Sequence, residues 1–403
     1  MSIFKYLFQI ITLDIISKVI FGIISILIIR FLSVEEFAIY SISIALINIV
    51  SSSVSSIFNR LYIAGDVDKS LPKSSFFTYQ ILLTGAIFIF LLPMSSFFNN
   101  YFLIIFLATL SQVLFLFVQT HFQASLNFKV YYLSDFTRIT IYSLSFISLI
   151  CLNTLNTMNI LIVYCLSSLS SFIFFGIKLL RIRDLFDLRN VIIFTKSLLR
   201  GNEMFLLLYS LIVILFSYTD LLMLKYFSTE YSVAIFAAAF TYYGFLRTIL
   251  NSIHKLMLPL VQKSKSIHEI KSIMKNFSYL SFTAFPLFIM IIFLSDFFIP
   301  FLDNNKYPES IKIFKILALS SYFSFLFSPY VNIVFRAKKA KFLFQIYSII
   351  FSIYLVTSPI IIIFFDVTGL AIFSLSAWLL LNFITFLKSQ KILFNSKDLV
   401  LDD

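Results

Sequence analysis

Apolar runs of about 20 residues, each long enough to cross the ~30 Å hydrocarbon layer of a bilayer as a helix, recur along the whole of this chain. Such a segment has few folding options. In hydrocarbon every backbone N–H and C=O must be satisfied inside the structure, which leaves helices and closed barrels. Barrel strands alternate apolar and polar residues over about 10 positions, and these runs do not. The chain therefore reads as an all-α polytopic membrane protein. Its charge agrees: 12% of the 403 residues are charged and 60% are hydrophobic, whereas soluble chains carry about 25% charge.

Twelve spans are expected, near residues 7–31, 38–58, 75–98, 101–126, 130–152 and 158–180, then 203–227, 232–255, 277–300, 311–334, 342–365 and 368–388. The breaks fall at Asn99-Asn100 and at residues 153–156, 181–200, 303–308, 336–341 and 366–369. The turn after the first span is written twice. Arg30-Phe31-Leu32-Ser33 lines up with Lys225-Tyr226-Phe227-Ser228 at an offset of 195, and Ala38-Ile39-Tyr40-Ser41 with Ala234-Ile235-Phe236-Ala237 at 196. In a third match, at an offset of 209, Leu110-Ser111 aligns with Leu319-Ser320, pairing span 4 with span 10. The expected organisation is an N-terminal six-helix repeat over 1–185, a cytoplasmic linker over 186–202 and a C-terminal six-helix repeat over 203–403.

Lysine and arginine set the orientation. With the N-terminus inside, 23 of them fall on the inner side, against Arg30, Lys225, Lys306, Lys312 and Lys315 outside. Cytoplasmic loops collect basic residues, so both termini are expected in the cytoplasm. An even number of spans per repeat then makes the repeats parallel, related by an axis along the membrane normal. The net charge of +12 is explained by this bias, and no nucleic-acid partner is expected. The first span carries Asp14 and Lys18 and lacks a small-residue cleavage site, so no cleaved signal is expected. Cys151 and Cys165 lie inside spans without metal or disulfide spacing and read as small core residues.

Several spans carry polar residues at helical spacing, the pattern of a helix with one wet face. Span 2 has Ser41, Asn48, Ser52, Ser55 and Asn59; span 4 has Gln112, Gln119, Gln123 and Asn127. Span 8 has Tyr243, Arg247, Asn251 and Lys255, and span 10 has Ser321, Ser324, Ser328 and Asn332. Such residues either line a cavity or hydrogen-bond neighbouring helices. That the matched spans 2 and 8, and 4 and 10, share the feature favours a cavity.

Ionisable groups at membrane depth are a sharper signal, since each costs at least ~2.5–3.5 kcal/mol near a helix centre. Lys18 lies mid-span with Asp14 one turn away, so it either neutralises Asp14 or serves a site. Arg138 either pairs with Asp135, snorkels to the interface or faces a substrate. Arg247 has no counter-charge nearby in sequence. Arginine offers a planar fork suited to phosphate oxygens and lysine a point charge. Lys18, Arg138 and Arg247, with Asn48, Gln119 and Asn251, are therefore the candidate substrate residues. Asp14 and Asp220 are the candidates for ion coupling. His121, His254 and His268, the last read as a loop residue, show no ligand spacing. Phosphate-loop, dinucleotide and metal motifs are absent from the sequence, so no enzyme chemistry and no cofactor are expected.

Specific segments resemble a known family. Arg30 to Ser41, with the core Glu35-Glu36-Phe37-Ala38-Ile39-Tyr40, is similar to the "lG.eeyGlYs" turn of polysaccharide-export flippases. Asp220-Leu221-Leu222-Met223-Leu224 with residues 231–239 and Pro259 is similar to "D..mLg......vg.Y.aA…P". Tyr307-Pro308-Glu309-Ser310 through Ser320 resembles "y..s..il.iLa.s", and Asp366-Val367-Thr368-Gly369-Leu370-Ala371 resembles "yGi.GaA". The chain thus resembles, over nearly its whole length, the Wzx-type O-antigen flippases of the multidrug/oligosaccharidyl-lipid/polysaccharide (MOP) exporter superfamily. It departs from them at Ala38 and Ala234 in place of glycine, at Phe236 in place of tyrosine, and in lacking a proline at Gly201-Asn202-Glu203.

The resemblance implies a V-shaped, MATE-like pair of six-helix bundles that flips an undecaprenyl-diphosphate-linked oligosaccharide across the bacterial inner membrane. A proton or sodium gradient would drive it, with an O-antigen polymerase and a chain-length regulator as partners besides membrane lipid. A drug or cation antiporter of the same superfamily is the alternative, and it should favour buried carboxylates over buried arginines. A lipid II flippase is expected to need about fourteen spans, and a polymerase or acyltransferase conflicts with the repeat and the short loops.

Overall fold

A computed structural model describes residues 3–64, 73–94, 99–125, 127–179, 202–264 and 266–395. The chain divides into two compact units, Met1–Arg200 and Gly201–Asp403. The first contains α1 (Ile3–Phe31), α2 (Val34–Ala64), α3 (Lys73–Leu91), α4 (Phe102–Ala124), α5 (Phe128–Cys151) and α6 (Thr157–Gly176). The second contains α7 (Asn202–Phe227), α8 (Glu230–Lys263), α9 (Ile267–Asp303), α10 (Ser310–Phe327), the short α11 (Val331–Arg336) and α12 (Ala340–Phe394). α12 is not one rod. Asp366 has φ 53° and ψ −156°, which splits it into two arms. With α10 and α11 joined through the 3₁₀ turn Ser328–Tyr330, each unit contributes six rods. Among the described residues, seven helices are long and apolar enough by length and composition to cross a membrane. The chain is a multi-pass membrane protein.

The helix ends follow from side-chain chemistry. Thr229, Asn156 and Ser266 each accept a hydrogen bond from the backbone N–H three residues on, at 3.2, 2.8 and 3.2 Å. Each satisfies one of the donors a helix start leaves unpaired. Ser33 does the same for Glu36 N–H at 3.2 Å. Ser33 aligns with Ser228 at the 195 offset and Thr229 is the residue after it, so the duplicated turn carries a helix cap in both copies, displaced by the one inserted residue. Breaks expected from sequence hold residues in the left-handed region: Asn153, Asn304, Asn305, Lys338 and Asp366. Asparagine and aspartate enter that region more readily than most residues.

Three boundaries and one burial differ from expectation. α9 begins at Ile267 rather than near 277, because Ser266 and Glu269 form a helix start; this places His268 in its first turn rather than in a loop. α8 continues through Pro259 to Lys263 instead of ending near 255. Span 10 breaks at Pro329, where the 3₁₀ turn sits. Cys151, at the end of α5, is exposed instead of core.

Both units place their rods in the same order of neighbours. In the first, α4 packs on α2 and α6, and α5 on α1 and α6. In the second, α10 packs on α8 and α12, and α7 runs along α12. Lipid tails are as apolar as leucine, so contact geometry and hydrogen bonds hold such helices together. Aromatic edges dominate the α7–α12 seam: Tyr209 meets Tyr347, and Phe216 meets Tyr354, each at 4.8 Å between ring centroids. α9, by contrast, leaves Phe293, Phe297 and Phe301 exposed.

The start of α2 is tied to the start of α6. The Glu36 carboxylate accepts Thr157 N–H at 2.6 Å, and the Thr157 hydroxyl donates to the Glu36 carbonyl at 2.8 Å. The second unit repeats the tie with roles exchanged. Asp366, which the 209 offset aligns with Thr157, accepts the hydroxyls of Ser228 and Ser232, each at 3.4 Å.

Candidate functional site

Four helices of the second unit line a cavity of about 970 Å³, open space included. Each helix contributes one face. α7 presents Tyr209, Val213, Ser217 and Asp220; α8 presents Phe240, Tyr243 and Arg247. α10 and the following turn present Ser320, Ser321, Ser324 and Ser328, and the second arm of α12 presents Ser374, Trp378 and Asn382. The spacings of three, four and seven are those of one stripe per helix.

Most membrane-depth hydroxyls bond their own helix. Ser217 donates to the Val213 carbonyl at 2.8 Å, as do Ser41 to Phe37 and Thr241 to Ala237 at 2.7 and 2.8 Å. A serine stripe by itself therefore needs no cavity. Ser217 does more, accepting a hydrogen bond from Arg247 Nη2 at 3.3 Å. No carboxylate among the described residues pairs with Arg247. Its fork lines the cavity held by a neutral group, with its charge available to a ligand.

Asp220 is buried at the other end of the α7 stripe. The Tyr354 hydroxyl donates to Oδ1, and Ser374 Oγ donates to Oδ2 at 2.9 Å. Tyr354 is held in turn by Phe373, stacked 4.8 Å away at 8°. The carboxyl group thus joins α7 to both arms of α12 and remains a lining residue.

The other candidates lie in the first unit. Arg138 pairs with Asp135 through Nε at 3.3 Å and Nη2 at 3.1 Å, and its guanidinium sits 4.6 Å from the Phe115 ring centroid. Of the readings open from sequence, the ion pair is the one present. Asn48 on α2, Gln119 on α4 and Lys18 on α1 are half-buried. The side chains of Asp14 and Asn251 lie outside the described residues, although Asn251 falls one turn beyond Arg247 on α8. Gln112 accepts a buried hydrogen bond from Ser168 at 3.1 Å, so that part of the span 4 stripe joins helices. The sequence reading passed over Tyr354, Ser374, Trp378 and Asn382. Its usable signal was the polar–aromatic–polar spacing of four on the last span.

Solved structures share this fold. The lipid II flippase MurJ, in an inward closed conformation, superposes with a TM-score of 0.71 at 16% identity, covering 96% of this chain and 92% of its own. A MATE transporter from Vibrio cholerae gives 0.62 at 14% identity, covering 97% of both chains. A MOP superfamily transporter from Pyrococcus furiosus gives 0.63 at 12%, covering 96% of this chain and 94% of its own. Chain length therefore does not separate this fold from that of MurJ. No curated protein matches the sequence. The fold is that of the MOP superfamily of membrane transporters and flippases. Within it, a family sequence model matches residues 27–312, and the chain belongs to the polysaccharide biosynthesis protein family.

Proposed function

We propose that the chain is a flippase for undecaprenyl-diphosphate-linked oligosaccharide repeat units, of O antigen or a similar surface polysaccharide. It would move them from the cytoplasmic to the periplasmic leaflet of the inner membrane by alternating access, with both termini in the cytoplasm. The supporting observation is Arg247, an arginine with no carboxylate partner among the described residues, in a hydroxyl- and aromatic-lined cavity of a polysaccharide-family protein. In this reading Arg247, with Asn251, meets the anionic end of the head group. Lys18, Arg138, Asn48 and Gln119 serve the substrate from the first unit. Asp220, held among the described residues by the hydroxyl donors Tyr354 and Ser374, takes up a proton or a sodium ion from the driving gradient, with Asp14 as the second coupling candidate. The polymerase and chain-length regulator of the same polysaccharide are the expected partners.

The second reading, an antiporter of small organic cations, draws on Asp220 in the same aromatic-lined cavity. The surface-polysaccharide ladder of a host lacking this gene separates the two. Under the flippase reading the ladder is absent, lipid-linked single repeats accumulate, and the gene restores both. Arg247→Ala should fail to restore the ladder and Arg247→Lys should restore part of it. A full ladder without the gene, in a host with no second flippase, would move the assignment to the antiporter.

A further inference from the structure

The cavity carries little charge for a diphosphate. Among the described lining residues there is one cation, Arg247, and one carboxylate, Asp220. A diphosphate diester brings two negative charges, and an anion moved out of water without a partner costs several kcal/mol. The remainder of the lining is uncharged: aromatic rings and the aliphatic Val213, Leu317 and Val331 stand among serine hydroxyls and the Asn382 amide. Trp378 is half-buried, with Phe216 tilted against it at 4.8 Å and 33°. One turn on, Asn382 Nδ2 donates to the Trp378 carbonyl at 2.9 Å and reaches Ser324 Oγ at only 3.5 Å. That long cross-helix contact is one a ligand hydroxyl can replace.

A group that matches this lining has an apolar face, a rim of hydroxyls and at most one negative charge beside it. A sugar ring is such a group. We infer that the cavity of the second unit is a glycosyl subsite. One sugar ring lies against Trp378, Asn382 and Ser324 read its hydroxyls, and Arg247 takes a single phosphate or carboxylate attached to it. The remaining head-group charge is met outside this cavity. The inference rests on the flippase reading and divides the head group: sugar here, full diphosphate elsewhere.

Trp378 is the only tryptophan in the chain, so tryptophan-selective emission reports on the cavity alone. The experiment titrates the purified full-length protein in detergent micelles with four probes: glucose, N-acetylglucosamine, N-acetylglucosamine 1-phosphate and inorganic pyrophosphate. A saturable shift is expected with at least one free sugar. The sugar phosphate should bind roughly tenfold more tightly, the scale of one charge-assisted contact, and pyrophosphate should give none. Arg247→Ala should bring the sugar phosphate down to the affinity of free sugar. Asn382→Ala should weaken free sugar and sugar phosphate by the same factor while keeping the roughly tenfold preference for the sugar phosphate, which a loosened cavity that no longer positions Arg247 would lose. A response to pyrophosphate without one to sugar, or no response to any sugar, overturns the inference. The polysaccharide ladder is independent of this readout. Ladder rescue without a sugar response removes the subsite and leaves the flippase, and a sugar response without rescue does the reverse.

Discussion

Glu36→Ala tests the tie between the second and sixth rods of the first unit. At 2.6 Å the bond from Thr157 N–H to the Glu36 carboxylate is short, as bonds to ionised acceptors are. Thr157 is fully buried, so water replaces little of what is lost. A hydrogen bond to a charged group contributes about 1.5–3 kcal/mol, and a carboxylate at a helix N-terminus about 0.3–1 kcal/mol more. Glu36→Ala should therefore cost about 2–4 kcal/mol. For a unit of about 200 residues that lowers the apparent Tm by roughly 4–16 °C. Glu36→Gln keeps an acceptor without the charge and should lose about 1 kcal/mol. The free cysteines supply the assay, since both lie in this unit. In a Cys151→Ser background, a thiol-reactive dye reads the uncovering of half-buried Cys165 on α6 during a thermal ramp. A Glu36→Ala protein melting within about 1 °C of its parent would show that the tie holds nothing.

In the second unit Asp366→Gly should be milder than Asp366→Ala in the same melt. Both lose the two 3.4 Å contacts, but glycine also relieves a backbone conformation costing about 1–3 kcal/mol for other residues. Tyr354→Phe should cost about 1–3 kcal/mol of stability, because it removes a donor from buried Asp220 and leaves the carboxylate in place. A thermal shift of the purified variant checks it. Asp135→Asn and Arg138→Gln should each destabilise more than the double variant, since either alone leaves a poorly compensated charge near Phe115; a double-mutant cycle on Tm measures this. Gly369→Ala should cost about 1–3 kcal/mol and lower expression, because a Cβ there collides with the Phe365 Cβ across the kink. Wild-type levels of membrane-inserted protein would count against it.

Much of the fold was readable from sequence because the bilayer removes choices. Once a run of apolar residues must satisfy its own backbone, it is a helix, and only its ends remain to be found. Those ends are chemical: Asn153, Asn304-Asn305 and Asp366 mark breaks because their short polar side chains tolerate a positive φ. Ser33 and Thr229 mark starts because their hydroxyls cap. The errors arose where signals compete. Pro259 reads as a stop, yet α8 passes through it, and the basic stretch before span 9 reads as a loop although Ser266 and Glu269 start a helix there.

The site divides along the same line. Arg247, Asp220 and the α10 serines stood out because polar groups at membrane depth are costly wherever they point, so sequence position alone singles them out. Tyr354, Ser374, Trp378 and Asn382 did not, because aromatic and small polar residues in a span read equally well as packing. Their role depends on which helix stands opposite, and that is a matter of contacts across more than 130 residues of chain, as between Asp220 and Tyr354. Arg138 shows the limit most plainly. Its sequence neighbourhood offered a partner, an interface and a ligand, and only the structure shows the 3.1 Å contact to Asp135. The sequence by itself determined helices, breaks, caps and the twofold repeat, because these depend on local chemistry and on the solvent. The tertiary structure alone decided which polar groups meet in one cavity and which cancel one another, because those outcomes depend on distances between helices that the order of residues does not contain.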